Sequence, residues 1–120
     1  MDPIELGEVE VEVELDVFSG RPNPRWTLGA DRAQELLDLL RDLEPAERRE
    51  PPGLGYRGFV LTTDGAKTRV FGGAVSMMRD GDVVHFKDGH GVEQLLLRQA
   101  REQGYSDLLT TFGVAGDSVQ

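Results

Sequence analysis

The amino-acid sequence predicts a single α+β domain in which four antiparallel strands form one sheet and two helices pack on one of its faces. Three observations support this fold: a segment that alternates every second residue, two segments with helical spacing, and Asp-Gly pairs between short apolar runs. The predicted order is β-α-β-β-β-α, without an internal repeat. The length of 120 residues is typical of one domain. We expect the domain to span residues 1–112, and residues 113–120 to form a flexible tail.

The first predicted strand is a segment in which five apolar residues alternate with five carboxylates. A period of two places all the apolar side chains on one face of a strand and all the charges on the other. The alternating residues are Val9, Val11, Val13, Leu15 and Val17 on one face, and Glu8, Glu10, Glu12, Glu14 and Asp16 on the other.

This acidic strand has three interpretations. It is the solvent-facing side of an edge strand, whose charge prevents pairing with other chains, or a docking surface for a basic partner. The third follows from length, because a strand from Gly7 to Phe18 would extend roughly 40 Å, about twice the usual value. Part of such a strand would overhang the sheet and pair with a second copy, which makes the chain a dimerisation or assembly module.

The first predicted helix follows a stiff, proline-containing loop. It begins at Asp31, whose carboxylate favours a first turn, and Pro45 prevents its continuation. Its apolar residues recur at the spacing of one helix face, with charged residues between them. These apolar residues are Ala33, Leu36, Leu37, Leu40 and Leu43.

Residues 44–55 are rich in Pro, Gly and charge, and we expect them to form an exposed, mobile connection. Three short strands follow, at residues 56–63, 67–75 and 82–87. The pairs Asp64-Gly65 and Asp80-Gly81 predict tight hairpin turns. Gly72-Gly73, inside the middle strand, indicates a bulge or a close backbone approach.

The second predicted helix begins after Gly91 and ends at Gly104. Beyond it, Leu108, Leu109 and Phe112 predict a segment that docks on the domain. The inner face of the helix carries Val92, Leu95, Leu96, Gln99 and Ala100.

Composition excludes several kinds of site. The formal net charge is −9, and seven of the 22 acidic residues but none of the basic ones lie in the first 20 residues. A nucleic-acid partner is therefore not expected. The absence of cysteine excludes disulfides and thiolate chemistry. No apolar stretch approaches the roughly 18 residues of a membrane span, and no signal peptide precedes the domain, so we expect a cytoplasmic protein without a membrane partner.

The strongest candidate binding surface is the loop at residues 19–26. It places Arg21, Asn23, Arg25 and Trp26 on a backbone that two prolines restrict, which suits a carboxylate, a phosphate or a peptide. At the start of the next strand, Tyr56 or Arg57 extends this surface if the strand begins beneath the loop. In the architectural alternative, Trp26 anchors the helix entrance and the arginines neutralise Glu14 or Asp16.

A second candidate is a metal site formed by His85, Asp88 and His90, a ligand set that suits zinc or iron(II). The alternative is that the two histidines are exposed or cap a helix. The sequence contains neither a phosphate-binding loop nor a nucleophile elbow, and no motif predicts a cofactor.

These observations favour a small binding or adaptor domain without catalysis of its own, which recognises a protein, a peptide or a small anionic ligand through the arginine-containing loop. The first alternative is a small enzyme or metal-dependent accessory protein that uses His85, Asp88 and His90. The second is a homodimerisation or assembly module built on the acidic strand.

Overall fold

A computed structural model describes residues 10–18, 20–47, 55–63 and 66–114 of the chain. Within them, six strands form one antiparallel sheet that is accompanied by three helices. The α+β class and the antiparallel sheet are confirmed, but the predicted numbers of four strands and two helices are wrong. The elements are β1 Val11–Leu15, β2 Arg25–Leu28, α1 Ala30–Leu39, β3 Phe59–Thr63, β4 Ala66–Phe71, β5 Ala74–Arg79, β6 Asp82–Lys87, α2 Val92–Glu102 and α3 Ser106–Thr111.

The strands are arranged in the order β2-β1-β3-β4-β5-β6, so the acidic strand β1 lies inside the sheet. It pairs with β2 on one side and with β3 on the other. The interpretation of this strand as a charged edge is therefore wrong, because along Val11–Leu15 both edges are occupied. Any overhang before residue 10 lies outside the described residues.

Two strands were not expected from the sequence. β2 occupies the end of the proline-containing loop, and its four residues alternate between exposed and buried positions. β5 exists because Gly72 and Gly73, with φ of 62° and 85°, form a turn between two strands instead of a bulge within one. Asp80 and Gly81 form the predicted turn between β5 and β6, with φ of 54° and 86°. The other predicted turn, Asp64-Gly65, lies outside the described residues.

The core lies between the helices and one face of the sheet. Alternate residues of β1 enter it, as the period of two predicted, and the inner face of α2 is buried as its helical spacing predicted. α1 begins after Gly29, and Asp31 lies in its first turn without capping it through a hydrogen bond. The largest fully buried side chains include Val11, Val13, Leu15, Leu36, Phe59, Val70, Val75, Val92, Leu96 and Leu109.

The connection after α1 contacts the outer edge of β6. Pro45 bridges to Phe86, and the backbone N–H of Ala46 donates to the carbonyl of His85 at 3.0 Å. Residues 48–54 of the predicted mobile connection lie outside the described residues. So do residues 115–120 of the predicted tail, while Val114 still packs against the core. Among the helices of the described ranges, none has the length and apolar character that crossing a membrane requires.

Candidate functional site

The face of the sheet away from the helices carries two rows of side chains set by the strand register. In both rows a carboxylate on β1 is separated from a cation on β4 by one residue of β3. The first row, from β2 to β6, is Arg25, Glu14, Val60, Arg69, Ser76 and His85. The second row is Thr27, Glu12, Thr62, Lys67, Met78 and Val83.

Asp16, the residue after β1, is a buried carboxylate two positions beyond Glu14 of the first row, and its side chain is only 4% exposed. Arg57 donates from Nη2 to Oδ1 at 3.0 Å, and Arg69 donates from Nη1 to Oδ2 at 2.9 Å. Asn23 donates a third hydrogen bond, from Nδ2 to Oδ1 at 3.2 Å. These three partners come from different parts of the chain, so the carboxylate joins the end of β1 to the proline-containing loop, the start of β3 and the middle of β4.

Gly58 explains why Arg57 reaches this face. Phe59 points into the core, so strict alternation would put Arg57 on the core side as well. Gly58 has a φ of 89°, which interrupts the alternation and brings Arg57 to the same carboxylate as Arg69. The backbone continues to pair with β1 here, since the Asp16 N–H donates to the Gly58 carbonyl at 2.9 Å and the Arg57 N–H donates to the Asp16 carbonyl at 2.8 Å.

Asn23 fixes the proline-containing loop to the end of β1. Its Oδ1 accepts the backbone N–H groups of Val17 at 3.0 Å and Phe18 at 2.7 Å. Its Nδ2 donates to Glu14 at 2.7 Å as well as to Asp16. The side chain thus satisfies two backbone donors and also lies between two carboxylates, which an amide can do and a carboxylate cannot.

Together these residues form the lining of a cavity of about 340 Å³, here called the polar basin. It contains three cations against two carboxylates, in a chain whose formal net charge is −9. The side chains of Arg57 and Arg69 are 33% and 28% exposed, so both guanidiniums are accessible from solvent although Asp16 is not. The lining residues are Glu14, Asp16, Asn23, Arg57, Val60, Lys67, Arg69 and Met78.

The protonation state of Asp16 follows from these contacts. Burial alone would raise the pKa of the Asp16 carboxyl, but the hydrogen bonds and charges of Arg69 and Arg57 together hold that pKa below its ordinary value. Asp16 is therefore ionised at neutral pH. As a fixed anion it orients both guanidiniums, and each of them retains N–H groups that Asp16 does not occupy.

Two of the predicted loop residues, Arg25 and Arg21, do not line the basin. Arg25 forms exposed ion pairs with Glu14 at 3.6 Å and Glu12 at 3.8 Å, which matches the alternative that an arginine neutralises the strand. Arg21 is exposed and stacks on the ring of Phe18, 3.8 Å from its centroid. Of the described residues of this loop, only Asn23 lines the basin.

The two predicted aromatic residues belong to the packed side of the molecule. Trp26 is 8% exposed, stacks on Tyr105 at 5.7 Å between ring centroids and meets Phe59 edge to face. This packing agrees with the architectural alternative for Trp26, in which the side chain is an anchor and not part of a binding surface. Tyr56 also packs edge to face on Phe59, and its hydroxyl donates to Glu93 at 2.5 Å. Burial and the charge of Glu93 raise the pKa of Tyr56 far above its ordinary value.

The three predicted metal ligands have separate partners. His85 is hydrogen-bonded to Ser76 at 2.8 Å, and His90 donates to the carbonyl of Leu39 at 2.9 Å. The carboxylate of Asp88 accepts the backbone N–H groups of Val92 and Glu93 at the start of α2. In the part of the chain that the structure describes, no group of three or more His, Cys, Asp or Glu residues is placed to hold a metal ion.

Arg69 and Lys67 are the charged residues of the basin that sequence reasoning missed, and it also missed the apolar lining residues Val60 and Met78. The spacing of two between the cations puts both on one face of β4, a signal that the sequence does contain. The sequence does not reveal the strand order. In that order only β3 separates β4 from β1, so the two cations lie near the carboxylates of β1.

No protein-family model matches the chain, and neither a curated protein nor a solved structure shows significant similarity to it.

Proposed function

We propose that this chain is a binding domain that takes a small anionic group, a carboxylate or a phosphate, into the polar basin. The observation that carries the proposal is the pair of half-covered guanidiniums, Arg57 and Arg69, held side by side by one buried carboxylate. Donors that are already fixed lose little conformational entropy when a ligand binds. Guanidinium groups also match the planar geometry of carboxylate and phosphate oxygens.

Lys67 supplies the third cation of the basin. It is exposed, lies on the same strand face as Arg69, and has no ion pair with another described residue. Lys67 therefore contributes to the binding of an anion by electrostatic attraction, without losing an ion pair with any described residue.

The basin also indicates the size of the ligand. A volume of about 340 Å³ lies at the lower end of the roughly 300–1,000 Å³ of small-molecule sites. Val60 and Met78 line the basin between the charged residues. The ligand is therefore an anionic group on a short apolar body and not an extended polymer.

The test is a calorimetric titration of the full chain with inorganic phosphate and, separately, with butyrate, a carboxylate on a short apolar chain. Lys67→Gln should weaken binding of the preferred anion by about tenfold, the effect of one lost charged contact of roughly 1.4 kcal/mol. Lys87→Gln is the matched control, because Lys87 carries the same charge on β6, outside the basin. Its affinity should equal that of the parent chain.

Two outcomes would contradict the proposal. The first is the absence of saturable binding of either anion at millimolar concentration and low salt. The second is an equal loss of affinity in both lysine variants, which would show that the anion responds only to the overall charge.

A further inference from the structure

The structure contains a second and larger cavity, on the helix side of the sheet. It has a volume of about 520 Å³, well within the range of small-molecule sites. Leu36 and Leu37 of α1 form one wall together with Leu40, the residue that follows the helix. Side chains of β3 to β6 form the other, among them Leu61, Met77, Val84 and Phe86. We call this cavity the apolar cleft.

The cleft is open because the helices cover the sheet unevenly. α1 packs against β2 and α2, at the opposite end of the strand order from β6. Leu37, on the apolar stripe of α1, and Leu40, directly after the helix, consequently remain half-buried. Val84 faces the same space from β6 and is 51% exposed. Apolar side chains from two elements thus face each other across a gap that the described residues leave unfilled, and a ligand that fills the gap would remove their surface from water.

The charges at the mouth of the cleft indicate the polarity of that ligand. Arg79, Asp80 and Asp82, around the turn between β5 and β6, are the charged residues among those that line it. Two carboxylates against one guanidinium leave this rim negative, in a chain that is itself strongly acidic. A fatty acid would bring a further negative charge to this rim, whereas a protonated amine would be attracted to it.

We infer that the apolar cleft binds a small lipophilic amine, with its hydrocarbon part between α1 and β6 and its ammonium group at Asp80 and Asp82. This site is independent of the polar basin, which lies mainly on the other face of the sheet and selects the opposite charge.

The experiment is an NMR titration of the full chain with decylamine, decanol and decanoate, each below its micellar concentration. These probes share one hydrocarbon chain and differ in the head group. The amine should bind more tightly than the alcohol, by about fivefold for one ion contact near the surface, and the carboxylate should bind most weakly. Asp80→Asn with Asp82→Asn should remove the advantage of the amine and leave the alcohol affinity unchanged.

Two neighbouring positions on β6 locate the site. Val84→Lys places an ammonium group beside the cleft and should strongly weaken binding of decylamine, which carries the same charge. Val83→Lys is the matched control, because Val83 is 47% exposed and lies outside the lining of the cleft. Both positions are exposed, so both variants should retain the melting temperature of the parent chain.

Three results would overturn the inference: no saturable binding of any probe, tightest binding of decanoate, or equal effects of the two lysine substitutions. The two proposals can fail separately. A failure of phosphate and butyrate to bind the polar basin would leave this inference unaffected, and Lys67→Gln should not change the affinity for decylamine.

Discussion

Asp16 is the residue on which the polar basin depends. Its carboxylate is buried, and the three side chains that bond to it come from parts of the chain far apart in sequence. Removing one partner of such a cluster leaves the opposite charges unpaired. The resulting loss of folding stability is usually greater than the net stability that the ion pair contributes. The two arginines are partly exposed, so water relieves some of that cost.

We predict that Asp16→Asn lowers the free energy of unfolding by about 3 kcal/mol, the lower end of the range for a broken buried ion pair. Urea denaturation at neutral pH measures this change. Glu12→Gln is the control, since Glu12 has only an exposed ion pair with Arg25 among the described residues, and this substitution should cost less than about 0.5 kcal/mol. Equal losses in the two variants would mean that the Asp16 cluster has no special stabilising role.

The lowered pKa of Asp16 also predicts how stability depends on pH. A carboxyl whose pKa is lower in the folded chain than in the unfolded chain stabilises the fold fully above the unfolded value, about 3.9. That contribution is lost as the pH falls through the lowered folded pKa. The difference in unfolding free energy between the parent chain and Asp16→Asn should therefore be constant near neutrality and shrink below about pH 4. A difference that shrinks already between pH 7 and pH 5 would contradict the ionised assignment.

Gly58 is the second residue whose identity the basin requires. A Cβ at this position would lie 2.1 Å from the carbonyl oxygen of Val70 and 2.8 Å from Cβ of Phe71. Gly58→Ala should therefore lower the free energy of unfolding by about 3 kcal/mol, from overpacking together with the positive φ.

The control for this substitution is Gly73→Ala. Gly73 has a similar φ of 85°, but a Cβ there would meet nothing within 4 Å, so the cost should be only about 1 kcal/mol. Thermal or urea denaturation of the two variants measures the contrast. Similar losses would show that backbone conformation, and not the approach of β3 to β4, accounts for the requirement for glycine.

At the scale of elements, periodicity predicted the type and the buried face of the longer strands and helices. It failed for the shortest elements. β1 and α2 were recognised because each presents several apolar residues at a regular spacing. β2 has only four residues between Pro24 and Gly29, too few for an alternation to be distinguished from a loop. Gly72-Gly73 fits either a bulge or a turn, and the pairing of β4 with β5 resolves it as a turn.

α2 provides a prediction at this scale, because one position of its inner face is polar. Gln99 is buried, and neither polar atom of its amide has a hydrogen-bond partner among the described residues. A buried amide without partners destabilises a fold, whereas methionine has a similar volume and helix propensity. Gln99→Met should raise the free energy of unfolding by about 1 kcal/mol, measured by urea denaturation.

The control is Gln94→Met, at an exposed position of the same helix, where the change should stay within about 0.5 kcal/mol. A loss of stability in Gln99→Met would mean that the amide has bonding partners in solution that the methionine cannot replace.

At the scale of the whole molecule, the acidic residues around β1 are paired with arginines from other parts of the chain. Glu12 and Glu14 of β1 and the following Asp16 are not a free acidic stripe, because each of them forms an ion pair with an arginine: Arg25, Arg57 or Arg69. The sequence showed both the carboxylates and the arginines. It did not show that they lie close together, because this depends on the strand order. In that order β1 lies inside the sheet, and only β3 separates it from β4. Asn23 was recognised as part of the proline-containing loop and Arg57 as lying at the start of a strand, whereas Lys67 and Arg69 could be recognised only from the assembled sheet.

The most direct test of the polar basin follows the side-chain Nε–Hε signals of Arg57 and Arg69 by NMR while inorganic phosphate or butyrate is added. If the basin binds an anion, these two signals shift together and saturate at the concentration that calorimetry gives, in the parent chain and in Lys87→Gln, and require about tenfold more anion in Lys67→Gln. If the two arginine signals stay unchanged while others move, the anion binds elsewhere and the basin is a structural cluster alone.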